Sequence, residues 1–169
     1  MRLRSTTAED LDALRSFVER CSPETLYRRF HGAARRAMQT ELGRIARSAD
    51  DHRSWVAVAA DEVRGTATLA TSSRTGATEM ALLVEDAWFR RGVGRALVER
   101  LRAHARQAGV DAITAWVQAD NERALRFIRA VAPEASIRFA GGAELEVRIP
   151  IAPAAAAALP SSLGSRRAA

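Results

Sequence analysis

Residues 78–107 read TEMALLVEDAWFRRGVGRALVERLRAHARQ and hold the features that decide the fold. In the first part Met80, Leu82 and Val84 fall on one side and the residues between them on the other, which predicts a β-strand. A short polar loop with Gly92 follows, and apolar residues then recur at helical spacing. The stretch therefore predicts a strand, an arginine-rich loop with glycine, and a long helix that begins at the loop.

The junction between this loop and the helix favours an anion. The first turn of a helix has main-chain N–H groups without a carbonyl partner, and the helix dipole favours negative charge there. Gly92 and Gly94 would let a phosphate approach the main chain closely. The same pattern is also common without a ligand, and the arginines could form a solvated face. The stretch alone leaves both interpretations open.

Length and composition are typical of a globular chain. The 169 residues are 47% hydrophobic and 27% charged, which favours one domain with a substantial core. No apolar run reaches the roughly 18 residues of a membrane span, and the N-terminus lacks the apolar core of a secretion signal. Cys21 is the single cysteine, and the three histidines show no metal-ligand spacing. We therefore expect a cytoplasmic protein with no membrane partner and no metal.

The positive charge of the chain comes from arginine alone. All twenty-six basic residues are arginine, and the formal net charge is +6. Such a surface attracts polyanions, including nucleic acid or a phosphorylated cofactor, although a GC-rich genome also explains the absence of lysine. No nucleic-acid-binding motif accompanies the charge, and only 5% of the residues are aromatic. We therefore do not expect nucleic acid as a partner.

The order of the predicted elements gives the fold class. It runs strand, three helices, three strands, long helix, strand, helix and hairpin, with the third helix predicted over residues 33–47. Because two helices follow single strands late in the chain, one parallel pair belongs in an otherwise antiparallel sheet. We predict an α+β fold, a mixed, mostly antiparallel twisted sheet of about seven strands flanked by helices. It should occupy residues 1–150, and residues 151–169, rich in Ala, Pro and Ser, should form a disordered tail.

With these elements the chain resembles the GNAT superfamily of N-acetyltransferases over about residues 1–150. The family motif is Gln/Arg-x-x-Gly-x-Gly/Ala at the start of the central helix, and residues 89–94 here read FRRGVG. Phe89 departs from the motif, and a second register beginning at Arg91 is displaced relative to the strand. The resemblance implies acetyl-CoA as cosubstrate, its pyrophosphate held by amides of this loop. It places against the cofactor Leu82, Leu83, Val84, Arg90, Arg91, Gly92, Val93, Gly94, Arg95, Ala96 and Asn121.

A candidate base comes from a narrower resemblance. Residues 22–30 and 78–88 are similar to stretches of the bacterial Pat-type protein lysine acetyltransferases, which use a glutamate as general base. This places the base at Glu79, acting directly or through water. Glu85 and Asp86 are nearby competitors, and an ion pair of Glu79 with an arginine is the plain alternative. A main-chain N–H from about Leu83 could stabilise the negative charge that develops on the acetyl oxygen.

Two positions in the next helix bear on the same chemistry. Asn121 matches an asparagine that many family members use near the pantetheine arm, but asparagine at a helix start also serves as a cap. Ile128 stands where many members have a tyrosine that protonates the departing thiolate, and Ala132 and Pro133 replace the usual Gly-Phe. A tyrosine acid at that place is therefore absent.

The function implied by the resemblance is transfer of an acetyl group from acetyl-CoA to a primary amine by direct attack. The acceptor would be a small molecule or a protein lysine. The alternative is a catalytically degenerate acyl-CoA-binding or regulatory domain, which Phe89 and Ile128 favour. We expect a monomer or a homodimer.

Overall fold

The computed structural model describes residues 1–30, 35–49 and 51–152, with the main chain alone at residues 35–37. The strands are β1 (Arg2–Ser5), β2 (His52–Ala59), β3 (Glu62–Thr71), β4 (Thr78–Val84), β5 (Ala112–Gln118), β6 (Ser136–Gly141) and β7 (Glu144–Pro150). The helices are α1 (Leu11–Glu19), α2 (Pro23–Phe30), α3 (Arg35–Ala46), α4 (Val93–Gln107) and α5 (Glu122–Val131), with 3-10 turns at Ala8–Asp10 and Asp86–Trp88. Residues 33–34 of the helix predicted over 33–47 lie outside the described part.

The seven strands form one sheet in the order β1-β2-β3-β4-β5-β7-β6. Within the described chain β4 and β5 are the one parallel pair, and all other neighbours are antiparallel. Helix α4 lies in the connection between these two strands, because neighbouring parallel strands need a long crossover and cannot be joined by a tight turn. The predicted α+β fold with a mixed, mostly antiparallel sheet is confirmed.

Side-chain alternation divides the helices between the two faces of the sheet. On β2, Val56 packs with Leu14 and Phe17 of α1, whereas Trp55 packs with Leu97 of α4. Helices α1 and α3 thus cover one face, and α4 covers the other. Helix α5 lies beside α4, because Met80 contacts the apolar clusters of both. The buried core is therefore two layers separated by the sheet.

The ordered domain continues past the boundary expected at residue 150. Ile151 is buried, and its N–H donates to the Asp111 carbonyl at 2.8 Å. It packs against the cluster that contains Leu101 and Ile113. The remainder of the predicted tail, residues 153–169, lies outside the described part of the chain.

Asp86 ties the loop after β4 to the start of α2. Its carboxylate accepts hydrogen bonds from the Ser22 N–H, the Ser22 hydroxyl and the Thr25 hydroxyl, each at 2.8 Å. Ser22 in turn caps α2, because its hydroxyl accepts from the Thr25 N–H at 3.2 Å. One carboxylate thereby fixes the position of a helix on the α1 face relative to the loop that leads into α4.

Replacing Asp86 by Asn should destabilise the fold by about 2 kcal/mol, because the amide nitrogen would face one of three donors that now meet an oxygen. Asp12→Asn is the matched control, since Asp12 is 90% exposed and, of the residues that the structure describes, pairs only with Arg15 on the same helix. We expect the control to change the free energy of unfolding by less than about 0.5 kcal/mol. Urea unfolding measures both variants, and equal losses would contradict this role of Asp86.

The Asp86 contribution should also depend on pH. Burial alone would raise the pKa of Asp86, but the hydrogen bonds from Ser22 and Thr25 outweigh it and hold the pKa below its ordinary 3.8. Because the folded pKa is the lower one, the contribution is complete above the unfolded pKa and is lost as pH falls through the folded pKa. The difference in unfolding free energy between the wild type and Asp86→Asn should therefore shrink on acidification below 3.8. A difference that stays constant would show that this carboxyl is not linked to folding.

Candidate functional site between strands β4 and β5

The two parallel strands separate shortly after they meet. Their ladder consists of Thr78 with Ile113 and Glu79 with Thr114, although β4 continues to Val84 and β5 to Gln118. Among the described residues no other strand fills the space between them. We call this space the β4–β5 gap. Unpaired strand main chain inside a sheet is a binding surface for an extended ligand.

The main chain of β4 presents Leu82 and Val84 to the gap. The Glu85 N–H donates to the Arg64 carbonyl on β3 at 2.9 Å. Successive residues of a strand direct their main-chain groups to opposite sides, so Leu82 and Val84 face away from β3. The Leu83 carbonyl faces Gly65 on β3. The prediction for Leu83 is therefore wrong, because its main chain faces β3. The main-chain groups that face the gap are those of Leu82 and Val84.

Helix α4 begins beside the open part of β4. Gly92 is its N-cap with φ of 81°, a left-handed conformation that favours glycine. The Ala96 N–H donates to the Gly92 carbonyl at 3.0 Å, which is the first bond of the helix. The N–H groups of Val93, Gly94 and Arg95 precede that bond and have no helical partner. Ala96, predicted as a cofactor contact, has its amide occupied and is removed from the set of amide donors.

Two glycines allow the close packing that places this helix. A Cβ on Gly94 would lie 3.1 Å from the ring of Phe127 on α5 and 3.7 Å from Leu82. A Cβ on Gly65 would lie 2.9 Å from Val93. Gly94 therefore sits between α5 and β4, and Gly65 lets α4 approach the sheet. Gly65 is not among the residues predicted from the sequence, although an isolated glycine within a strand signals such a close approach.

The arginines of the loop differ in their availability. The guanidinium of Arg91 lies 5.3 Å from the ring centre of Trp88, and Arg95 donates to the Ala130 carbonyl at 3.2 Å. Within the described chain Arg90 has no hydrogen bond or ion pair, and it is exposed with φ of 59°. Of the three arginines predicted to contact the cofactor, Arg90 is therefore the one whose side chain is not held by any described residue.

Glu85 is a structural carboxylate. It is buried, and it accepts from Arg20 Nε at 3.1 Å and from Arg64 at 2.9 Å. Arg20 also donates to the Val63 carbonyl at 2.7 Å, which links the end of α1 to β3. Both carboxylate oxygens of Glu85 accept hydrogen bonds from guanidinium groups, so this side chain is not free to reach a substrate amine. Glu85 and the equally engaged Asp86 are therefore excluded as competitors of Glu79 for the role of base.

Asn121 caps α5 through its side-chain oxygen, and its side-chain NH₂ group is a separate hydrogen-bond donor. Its side-chain oxygen accepts from the Ala124 N–H at 3.1 Å, so the capping interpretation is confirmed. An asparagine amide carries a separate NH₂ group, which this bond leaves available to a ligand. Ile128, two turns later, is buried with Val117 and Val147. The position of the usual tyrosine is thus part of the core.

Glu79 lies at the last pair before the strands separate, and its side chain is exposed. Among the described residues no arginine is within ion-pairing distance of Glu79. The alternative prediction, an ion pair between Glu79 and an arginine, is therefore wrong for the described arginines. Trp116 on β5 and Glu146 on β7 are opposite each other on the same face of the sheet as Glu79, and Trp116 is 43% exposed. This open face is reached from the side opposite α4 and α5.

Helix α2 borders the open face. Arg28 donates to Gln118 at 3.1 Å and also pairs with Asp120, so it joins α2 to the end of β5. Tyr27, the neighbouring residue, is 56% exposed. The contacts of Arg28 and of Asp86 hold α2 at both strands that line the gap.

In the part of the chain that the structure describes, no three His, Cys, Asp or Glu side chains are close enough together to hold a metal ion. None of the described helices is long and apolar enough to cross a membrane.

The fold is similar to those of known acetyltransferases. The GNAT domain of S. lividans PAT matches with a TM-score of 0.79 at 24% identity, over 88% of this chain and 89% of that one. PaiA N-acetyltransferase from Thermoplasma acidophilum, in complex with coenzyme A, matches at 0.70 and 17% identity, over 88% and 98%. The ribosomal-protein-S18-alanine N-acetyltransferase from Escherichia coli matches at 0.65 and 18%, over 92% and 97%. At such identities these likenesses show the fold alone.

The sequence itself gives the family. No curated protein matches the chain. The model of the acetyltransferase (GNAT) family matches residues 11–131, which is more than half of the 169 residues and includes the β4–β5 gap and the start of α4. The chain belongs to the acetyltransferase (GNAT) family.

Proposed function

We propose that this chain transfers the acetyl group of acetyl-CoA to a primary amine, carried by a small molecule or by a protein lysine. One observation carries the proposal: the pairing of β4 with β5 ends at Glu79 and Thr114, and helix α4 begins beside the opening. An extended ligand with amide groups and a terminal pyrophosphate matches this combination of strand main chain and helix N-terminus.

The residues at the gap fit acetyl-CoA. The main-chain groups of Leu82 and Val84 would hold the amides of the pantetheine arm, and the Asn121 NH₂ group would add a donor. The N–H groups of Val93, Gly94 and Arg95 would hold the pyrophosphate, where the dipole of α4 favours negative charge. When bound, the cosubstrate supplies an activated acetyl group. A main-chain N–H of β4 would stabilise negative charge on its oxygen.

The acceptor amine would approach over the open face, where Glu79 removes its proton. Glu79 and Leu82 are three residues apart along the extended strand, which corresponds to a rise of about 10 Å. A glutamate side chain does not span that distance, so the proton would pass through a water molecule. Trp116 offers an exposed aromatic surface beside this path, on which the carbon chain of an amine can pack.

The leaving thiolate needs no dedicated acid in this scheme. Ile128 is buried where many family members have a tyrosine, and no proton donor can act from that position. An ordinary thiol has a pKa of about 8.5, so a thiolate can depart without being protonated in the same step. The product thiolate then takes a proton from solvent.

A second candidate function is a degenerate acyl-CoA-binding or regulatory domain. The burial of Ile128 favours it, because the chain lacks an acid at that position. The two candidates differ in turnover. A binding domain would be stabilised thermally by CoA and would release no thiol with any amine, whereas the enzyme would release CoA thiol only when acetyl-CoA and an acceptor are both present.

Gly92→Ala should weaken CoA binding, because alanine does not readily keep the φ of 81° that directs the amides of the first helical turn. Gly76→Ala is the matched control, since Gly76 has φ of 69° in the β3–β4 turn and equally open surroundings. Both variants should lose roughly 1 kcal/mol of stability. Calorimetric titration should show a weaker Kd for Gly92→Ala alone, and equal affinities in the two variants would contradict the loop assignment.

Glu79→Gln should lower kcat/KM about a hundredfold, the range expected for loss of a general base. The assay is release of CoA thiol from acetyl-CoA over a panel of amines that includes lysine peptides. Because the chain contains no lysine, a lysine acceptor is not confused with lysine side chains of the enzyme. Glu99→Gln, an exposed change on α4, should leave the rate unaltered. Full activity in Glu79→Gln would remove Glu79 as the base.

A further inference from the structure

An arginine from helix α5 lies over the ring of Phe89, which is in the loop before α4. Phe89 occupies the first position of the family motif, where glutamine or arginine is usual, so the loop lacks a polar side chain there. The guanidinium carbon of Arg123, on the first turn of α5, lies 4.6 Å from the centre of the Phe89 ring. This is a cation–π contact at short range. A positive group is thus present at Phe89, although the sequence position itself is apolar.

The geometry of α5 directs Arg123 to the start of α4. Arg123 and Phe127 are four residues apart and therefore share one face of α5. Phe127 contacts Gly94 in the first turn of α4, and Arg123 contacts Phe89 three residues before the Gly92 cap. The guanidinium therefore lies at the same end of α4 as the unpaired amides.

Arg123 is free to exchange its present partner for a ligand. Its side chain is 54% exposed, and among the described residues its one ion pair is with Glu24 at 3.8 Å, a carboxylate that is itself 63% exposed. Such a surface pair contributes little stability. Arg95 differs, since its guanidinium donates a hydrogen bond to the Ala130 carbonyl.

We propose that Arg123, held against the ring of Phe89, binds the pyrophosphate of CoA in place of the polar residue that the motif usually provides. The inference rests on the proposed function, because it requires CoA in the β4–β5 gap. The guanidinium would leave Glu24 and form charge-assisted hydrogen bonds with phosphate oxygens, while Phe89 keeps the flat group oriented. Arg123 is then a cofactor-binding residue contributed by α5.

The test is calorimetric titration of the full chain with CoA. Arg123→Ala should weaken the Kd about tenfold, the effect of losing one charge-assisted hydrogen bond. Arg126→Ala is the matched control, because Arg126 is on the same helix, is exposed and, within the described part of the chain, pairs only with Glu122. Dephospho-CoA should show the same loss for Arg123→Ala, because it keeps the pyrophosphate and lacks the 3′-phosphate. A loss seen with CoA alone would overturn the pyrophosphate assignment.

A rescue variant tests the relation between the two residues. The double variant Phe89→Arg/Arg123→Ala restores a cation at the motif position and should recover most of the lost affinity. Phe89→Leu should weaken binding severalfold, because the aromatic surface that orients Arg123 is gone. Unchanged or tighter binding by Arg123→Ala would overturn the inference while leaving CoA binding in place. A wild-type chain that binds no CoA would overturn the proposed function as well.

Discussion

The separation of β4 from β5 after the Glu79–Thr114 pair is the constraint on which the site depends. A sheet normally satisfies its own main-chain hydrogen bonds, and unpaired groups in its interior are costly. Here the main chain at Leu82 and Val84 faces a gap, and the amides at the start of α4 lie beside it. We propose that this unpaired main chain binds a ligand that has amides along its length and phosphate at its end.

Two adjacent carboxylates make that surface rigid. Glu85 accepts hydrogen bonds from Arg20, just after α1, and from Arg64 on β3. Asp86 accepts hydrogen bonds from Ser22 and Thr25 at the start of α2. The loop that leads to α4 is therefore fastened to the helices on the opposite face of the sheet. Because those helices border the open face, one short segment sets the position of the proposed cofactor site relative to the proposed acceptor site.

Much of this arrangement could be predicted from the sequence, since it depends on local periodicity. The alternation of residues 79–84 and the helical spacing after Gly92 identified β4 and α4, and their order gave the mixed sheet. The direction of the main chain at Leu83 could not be predicted, because it depends on which neighbour β4 keeps. The contact of Arg123 with Phe89 was also hidden, because it joins residues on separate elements that only the folded sheet brings together.

The central claim is that the main chain of β4 and the first turn of α4 bind CoA together. Amide ¹H–¹⁵N spectra recorded during titration with CoA test it most directly. We expect the largest shift changes, with slowed hydrogen exchange, at Leu82, Val84 and residues 93–95, and little change at Leu83, which faces β3. CoA binding that leaves the resonances of these amides unchanged, or that shifts resonances of a different surface, would contradict joint binding by β4 and α4.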